Sequence, residues 1–148
     1  MDVLLIAGGT TKSNRPDQAR FFYRGHQFRC SRRFAEDSGL PWGIVSVKFG
    51  LVWPTSEVSP YIESLAHYDS DRKRRWAVSI AGALSKLYTP SSTRIIFLGT
   101  ALYMEPLGPA LEQVGFTTWL PWKGKDLHGQ MSMLTQLTQT FKRRELVT

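Results

Sequence analysis

The apolar residues of this chain fall into four short runs, and the segments between the runs carry apolar residues at helical spacing. The runs are residues 3–7, 42–47, 94–98 and 116–120. Runs of this length that end at glycine or proline are typical of buried strands. Trp76, Ile80 and Leu84 recur every four residues, as on one face of a helix. The alternation predicts an α/β fold: a three-layer α/β/α domain with a four-stranded, mostly parallel sheet.

The predicted helices have recognisable first residues. Pro16 can occupy the first turn of an irregular helix that continues to Ala35 and breaks at Gly25. Asp69 is a good start for the second helix, because an acidic side chain there interacts favourably with free N–H groups. The third helix is predicted over Met104–Val114, and the last contains Met131 and Phe141.

A chain of 148 residues has the usual length of one domain, so residues 1–148 are predicted to form a single α/β domain. The single cysteine, Cys30, cannot form an internal disulfide, which is typical of a reducing compartment. No apolar run approaches the roughly 20 residues of a membrane span. The first residues carry an acid where a signal peptide has basic residues. We therefore expect a cytoplasmic protein without a membrane partner, and the oligomeric state stays open.

The loops that follow the four strands are expected to meet at one edge of the sheet, where open α/β sheets bind ligands. In the first of these loops, Gly8, Gly9, Thr10 and Lys12 offer backbone N–H groups, a hydroxyl and an ammonium that can hold a phosphate. The glycine spacing of a P-loop or a dinucleotide site is absent, so an ordinary turn is the alternative. One cysteine and three scattered histidines give no zinc-ligand spacing, and we expect neither metal nor cofactor.

The segment from Ser46 to Tyr61 is the strongest candidate site. A buried strand brings Ser46 and Lys48 to its end, Gly50 permits a sharp turn, and two prolines stiffen the loop that presents Tyr61. Trp53 and Trp122 also fall in strand-end loops. An exposed tryptophan beside lysines suits stacking on a nucleobase, and anchoring of the loop is the alternative.

The net charge of +7 is concentrated in four basic clusters, which indicate a polyanionic partner such as DNA. Solvated helix faces are the alternative interpretation for any one cluster. Arg20 and Arg24, four residues apart, are expected to share a helix face. The clusters are Arg15–Arg33, Arg72–Arg75, Lys123 with Lys125, and Lys142–Arg144. The residues predicted to contact the DNA backbone are Arg20, Arg24, Arg29 and Lys123.

The candidate segment resembles the hallmark of the YaaA-like superfamily of small bacterial and phage domains. The shared pattern is S-x-K-x-G-L-V-x-P followed by Pro60-Tyr61. Further similar segments are 19–28, 34–36, 99–103 and 124–130, which extend the resemblance over nearly the whole chain in the same order. The chain departs from the pattern at Gly8-Gly9, where related sequences often have serine or cysteine. It also departs at Ile62, which delays the acid after Pro-Tyr to Glu63.

The resemblance implies DNA binding and nucleobase chemistry, and it extends to the layout of the uracil-DNA-glycosylase fold. We therefore interpret the chain as a DNA glycosylase for a modified or damaged base, as in defence against phages with modified DNA. Glu63, with Glu57 in reserve, would stabilise the positive sugar and activate water, and Lys48 or Lys12 would stabilise the leaving base. Tyr61 would orient the water or the base. The residues expected to bind the flipped nucleotide are Gly8, Gly9, Thr10, Lys12, Tyr23, Ser46, Tyr103, Trp122 and Gln130.

Two other functions fit the same sequence. A non-catalytic DNA-binding protein of the stress-response type would explain the basic clusters equally well. A small-molecule nucleoside hydrolase needs only a closed pocket, and free nucleosides would then compete with DNA.

Overall fold

The computed structural model describes residues 1–147, with side chains described through Lys142. The strands are β1 (Asp2–Ala7), β2 (Asp17–Gln18), β3 (Trp42–Ser46), β4 (Gly50–Val52), β5 (Glu57–Val58), β6 (Arg94–Leu98) and β7 (Thr117–Trp119). The helices are α1 (Ala19–Phe22), α2 (His26–Ser38), α3 (Ser70–Leu87), α4 (Ala101–Gln113) and α5 (Leu127–Val147). Short 3₁₀ turns lie at Leu65–His67 and Pro90–Ser92. The basic side chains of Arg143 and Arg144 lie outside the described residues.

The central sheet has the strand order β4-β3-β1-β6-β7, in which β1, β3, β6 and β7 are parallel. These are the four strands expected from the sequence. The expectation of four strands is wrong by one, because Gly50–Val52 adds an antiparallel edge strand to β3. Gly50 has a φ of +70°, a conformation that glycine adopts without strain, and it allows the chain to reverse directly after β3.

The sheet lies between two pairs of helices, which confirms the predicted α/β/α arrangement. Helix α2 packs against α5, and helix α3 packs against α4. The central strands β1 and β6 are buried through almost their whole length, as a parallel sheet covered on both faces requires. Within residues 1–147, no helix is both long and apolar enough to cross a membrane.

The irregular helix predicted from Pro16 to Ala35 is two helices with an extended link. The break at Gly25 is confirmed, since Gly25 is the N-cap of α2. Pro16 precedes β2 and is not in a helix. Tyr23 is extended, with φ −87° and ψ 129°, so α1 ends at Phe22. Arg24 therefore lies outside α1, and the prediction that it shares a helix face with Arg20 is wrong.

A small second sheet anchors the long loop that follows β4. Strand β2 pairs antiparallel with β5, so that Asp17 lies opposite Val58. The backbone N–H groups of Ala19 and Arg20 donate to the carbonyls of Ser56 and Pro54. These bonds tie the loop to the start of α1 shortly before the Pro60–Glu63 segment.

Candidate functional site

A cavity of about 430 Å³ opens at the carboxyl ends of β1 and β6. From β1 the chain passes to α2 in one helical layer, whereas from β6 it passes to α4 in the other. The two connections therefore diverge, and they leave a crevice between neighbouring strands, as at the switch point of other open α/β sheets. The cavity is lined by residues 7–11, 25–28, 98–100 and 102–103, with Ser31, Trp122 and Leu127.

Two helices begin at the wall of this cavity, and neither has a capping side chain. The N-cap of α2 is Gly25, which has no side chain, and the N-cap of α4 is Thr100, whose hydroxyl makes no cap bond. The first N–H groups of a helix lack partners within the helix and carry the positive end of its dipole. Both helices therefore favour a negative or strongly accepting group in the cavity.

Trp122 closes one side of the cavity and is almost completely buried, at 3% exposure. The expectation that this tryptophan is exposed is wrong, because the turn after β7 folds its ring inward against the cavity. Its indole Nε1 has no hydrogen-bond partner among the described residues. A buried donor of this kind is costly unless a ligand or water accepts its hydrogen bond.

A pair of glutamines fixes the loop that carries Trp122. The amide of Gln27, at the start of α2, donates to Gln130 Oε1 at 2.6 Å. Gln130 in turn donates to the carbonyl of Lys125 at 3.0 Å. Gln130 is outside the cavity lining, so the structure makes it a support for the loop, and it is Gln27 that lines the cavity.

Three buried tyrosines, Tyr23, Tyr61 and Tyr103, form a cluster next to the cavity, and Tyr103 also lines it. The hydroxyls of Tyr23 and Tyr61 are 2.8 Å apart, and Ser46, at the end of β3, donates to Tyr61 at 3.3 Å. Burial raises the pKa of Tyr23 well above its usual range. Burial also raises the pKa of Tyr103 to about 12, with a further contribution from nearby Tyr61 and an opposing one from the N–H of Gly9. Tyr23 is only 1% exposed, which leaves little of its surface for the flipped nucleotide that it is expected to bind.

The cluster explains the glycine at the end of β1. A Cβ atom on Gly8 would lie 2.5 Å from Cε1 of the Tyr23 ring. Gly8 therefore permits the tyrosine to pack directly on the backbone of β1. Gly9 has a φ of +83°, and its missing side chain leaves open space at the cavity.

A charged rim of Lys12, Lys48 and Glu63 surrounds Tyr61. The ammonium of Lys12 lies 4.4 Å from the centre of the Tyr61 ring. Lys48 Nζ lies 3.8 Å from Glu63 Oε1. The pKa of Lys12 is lowered by burial, and this effect is partly offset by the negative charge of Glu63.

The Glu63 carboxylate is held in its ionised form. Its own backbone N–H is the largest cause that lowers its pKa. Desolvation opposes this effect, and Lys48, the Ile62 N–H and Arg72 lower the pKa further. Its Oε2 atom has no hydrogen-bond partner among the described residues, although neighbouring atoms shield it from solvent. An ionised carboxylate with one unengaged oxygen can accept a proton from water or stabilise a nearby cation.

The structure thus divides the predicted site residues into two adjoining groups. Those that line the cavity are Gly8, Gly9, Thr10, Tyr103 and Trp122. Those of the tyrosine cluster and charged rim are Lys12, Tyr23, Ser46, Lys48, Tyr61 and Glu63. Sequence reasoning missed His26 and Gln27 as cavity residues; their position at a helix start directly after Gly25 was the available signal.

The residues predicted to contact the DNA backbone are accessible but scattered. Arg24, Arg29 and Lys123 are exposed. Arg20 is half-buried, with its Nε donating to Gln18 at 3.0 Å and its guanidinium over the Phe21 ring. Among the side chains that the structure describes, through Lys142, no group of three or more His, Cys, Asp and Glu residues is arranged to hold a metal ion.

Comparison with protein families gives a match over residues 3–136, which include β1 from its second residue, the other six strands and about the first half of the last helix. The matching family is described as "Family of unknown function (DUF6884)". No curated protein matches the chain.

Proposed function

The chain belongs to DUF6884, a family of unknown function, and we propose that it is a DNA glycosylase that excises a modified or damaged base. The observation that carries the proposal is the cavity between β1 and β6, with an ionised carboxylate in the rim beside it. A cavity of about 430 Å³ is within the range of small-molecule sites. The resemblance to YaaA-like domains supports nucleobase chemistry.

In this proposal the flipped base enters the cavity. Cleavage of the N-glycosidic bond leaves negative charge on the departing base, which preorganised donors stabilise. The uncapped starts of α2 and α4 supply such donors, and the Gln27 amide and the free Nε1–H of Trp122 add to them. Tyr103 and Trp122 give the cavity apolar walls suited to a planar ring.

The sugar stays outside, over the rim that Lys12, Tyr61 and Glu63 form. Positive charge develops on the sugar as the bond breaks, and a carboxylate near it stabilises that charge. The lowered pKa of Glu63 makes it a weaker base than an ordinary glutamate but keeps it ionised, so that it is free to accept a proton from the attacking water. This division of roles accounts for a carboxylate in the rim and donors in the cavity.

An exposed apolar side chain beside the carboxylate supports base flipping. Ile62 is 94% exposed, although its neighbours Tyr61 and Glu63 are held by the tyrosine cluster and the rim. Apolar side chains that project from DNA-binding surfaces can insert between base steps and unstack them. In this proposal Ile62 fills the space that the flipped base leaves.

A second function, DNA binding without catalysis, is favoured by one observation. Among the described residues that line the cavity there is no Asp or Glu. A cavity that only recognises a base needs donors and aromatic walls, and these are present without a catalytic acid inside.

The test is excision of bases from DNA that carries a panel of modified and unmodified bases, with abasic sites detected by alkaline cleavage. We expect Glu63→Gln to lower the excision rate by about 100-fold or more, because general-base assistance is removed, while DNA affinity is kept. Glu57→Gln is the matched control, since Glu57 is an exposed acid on β5 outside the site. DNA binding by the wild type without strand scission on any substrate would leave only the second function.

A further inference from the structure

A second cleft, of about 340 Å³, lies between the turn after β3 and the first half of α3. Lys48 and Phe49 border it on the turn, and Arg72, Arg75 and Ser79 border it on the helix. Neither the cavity nor the predicted DNA contacts include the three helix residues. The proposed glycosylase site therefore assigns no role to these three helix residues.

Helical spacing brings the three polar residues of α3 to one face. Positions 72, 75 and 79 differ by three, four and seven, so they lie one above the other along the helix. The adjacent Trp76 is buried and donates from Nε1 to the carbonyl of Ser46 at 3.0 Å. This bond fixes the face of α3 against the end of β3, and the cleft is a built feature of the fold.

The cleft is lined by three cations and no acid. Lys48 and Arg75 each have an acidic neighbour outside it, Glu63 at 3.8 Å and Asp71 at 3.3 Å. Arg72 lies 3.8 Å over the Tyr68 ring and forms no ion pair in the part of the chain that the structure describes. Exposed ion pairs contribute little, so a ligand with concentrated negative charge can displace them.

We propose that this cleft binds a backbone phosphate of a single DNA strand, with the adjacent base stacked on Phe49. Guanidinium groups bind phosphate oxygens in paired hydrogen bonds, and the Ser79 hydroxyl adds a donor. Phe49 is 44% exposed, and its ring stands edge-on to Tyr61 at 5.7 Å, which fixes its orientation. A cationic groove beside an accessible aromatic ring is the arrangement that holds single strands.

The inference deepens the proposed function and rests on its DNA-binding part. Lys48 belongs both to the cleft and to the rim, where it pairs with Glu63. A phosphate in the cleft therefore belongs to the DNA next to the nucleotide whose sugar lies beside Glu63. The cleft holds the strand on the β3 side, while the cavity takes the base on the β6 side.

The experiment measures the affinity of a labelled oligothymidine strand at several salt concentrations by fluorescence anisotropy. The test variant is Arg72→Gln/Arg75→Gln, and the matched control is Lys73→Gln/Arg74→Gln. Both remove two positive charges from the same turns of α3, but Lys73 and Arg74 border a different cleft, with Glu105. We expect the test variant to lower the slope of log affinity against log salt by about 0.7 for each phosphate that it no longer neutralises, and the control to keep the wild-type slope.

Equal changes of slope in the two variants would overturn the inference, because the effect would then follow net charge alone. Thymidine 5′-monophosphate provides a second arm, and binding to the cleft as tight as that of the strand would also overturn the commitment to DNA. Failure of the wild type to bind DNA would instead count against the proposed function. Thermal unfolding followed by circular dichroism verifies that both variants are folded.

Discussion

At the scale of single residues, the site depends on a close approach between Gly8 and Tyr23. The Tyr23 ring occupies the space where any side chain at position 8 would begin, and its hydroxyl reaches Tyr61. This contact couples the end of β1 to the loop that carries Glu63. The sequence suggests Gly8 and Gly9 as part of a phosphate-binding loop. In the structure, Gly8 makes room for the Tyr23 ring, and Gly9 adopts a positive φ.

Gly8→Ala is expected to destabilise the fold by about 1–3 kcal/mol, because the new Cβ displaces a ring in a packed core. Urea unfolding measures the change. Replacement of Tyr23 by Leu removes the ring atoms that the Cβ would meet, so the penalty of Gly8→Ala should shrink in that background. The matched control is Gly9→Ala, whose cost arises from its positive φ and should be the same with either residue at position 23. An equal loss of stability from Gly8→Ala with Tyr23 and with Leu at position 23 would contradict the proposed contact.

The tyrosine cluster predicts a decrease in stability in alkaline solution. A tyrosine ionises near pH 10 when solvated, whereas the pKa of Tyr103 in the fold is about 12. The unfolded state therefore releases this proton first, and the free energy of unfolding falls as pH rises from about 10 to 12. Tyr103→Phe should make the fall shallower, measured by urea unfolding at several pH values. An equally steep fall in the variant would show that Tyr103 ionises alike in both states.

At the scale of elements, the sequence predicts the strands that are buried on both faces of the sheet. It does not predict the very short strands that exist only because they pair with a neighbouring strand. Strand β6 runs over Arg94–Leu98 as predicted, and β1 and β3 differ from prediction by one residue each. Strand β4 has only three residues, all half-buried, and β2 and β5 are two residues long. Segments this short are too brief to show the alternation of apolar and polar residues that predicts a strand. They become strands because they pair with residues far along the chain.

Helix α3 illustrates an element whose start was predicted from one side chain. Asp69 is its N-cap, and Oδ1 accepts the backbone N–H of Arg72 at 2.8 Å. Asp69→Ala should lower the free energy of unfolding by about 1 kcal/mol, because a free N–H group is left without its partner. Asp69→Asn, which keeps an accepting oxygen, should restore most of that decrease in urea unfolding. Equal decreases in the two variants would show that the charge, rather than the hydrogen bond, stabilises the helix start.

At the scale of the whole molecule, the site could be located from the sequence but its interior could not. The alternation of strands and helices predicts which loops meet at the carboxyl edge, and the cavity lies there. The alternation does not predict which side chains turn inward. Glu63 and Tyr61 belong to the rim, whereas Gln27 and Trp122 line the cavity, since the closure of the loops after β4 and β7 decides their direction.

The same sheet order has a consequence for how the chain acquires its structure. Strand β1 lies at the centre, and Leu4 pairs with Trp42 on one side and with Ile96 on the other. During synthesis, at about 5–20 residues per second, β1 leaves the ribosome well before β6. Its β6 side stays without a partner until some ninety further residues have emerged, and such long-range pairing is slow. The strand that Gly8 follows is thus made well before the partner that encloses its second edge, and a nascent chain that stops short of β6 leaves that edge exposed to chaperones.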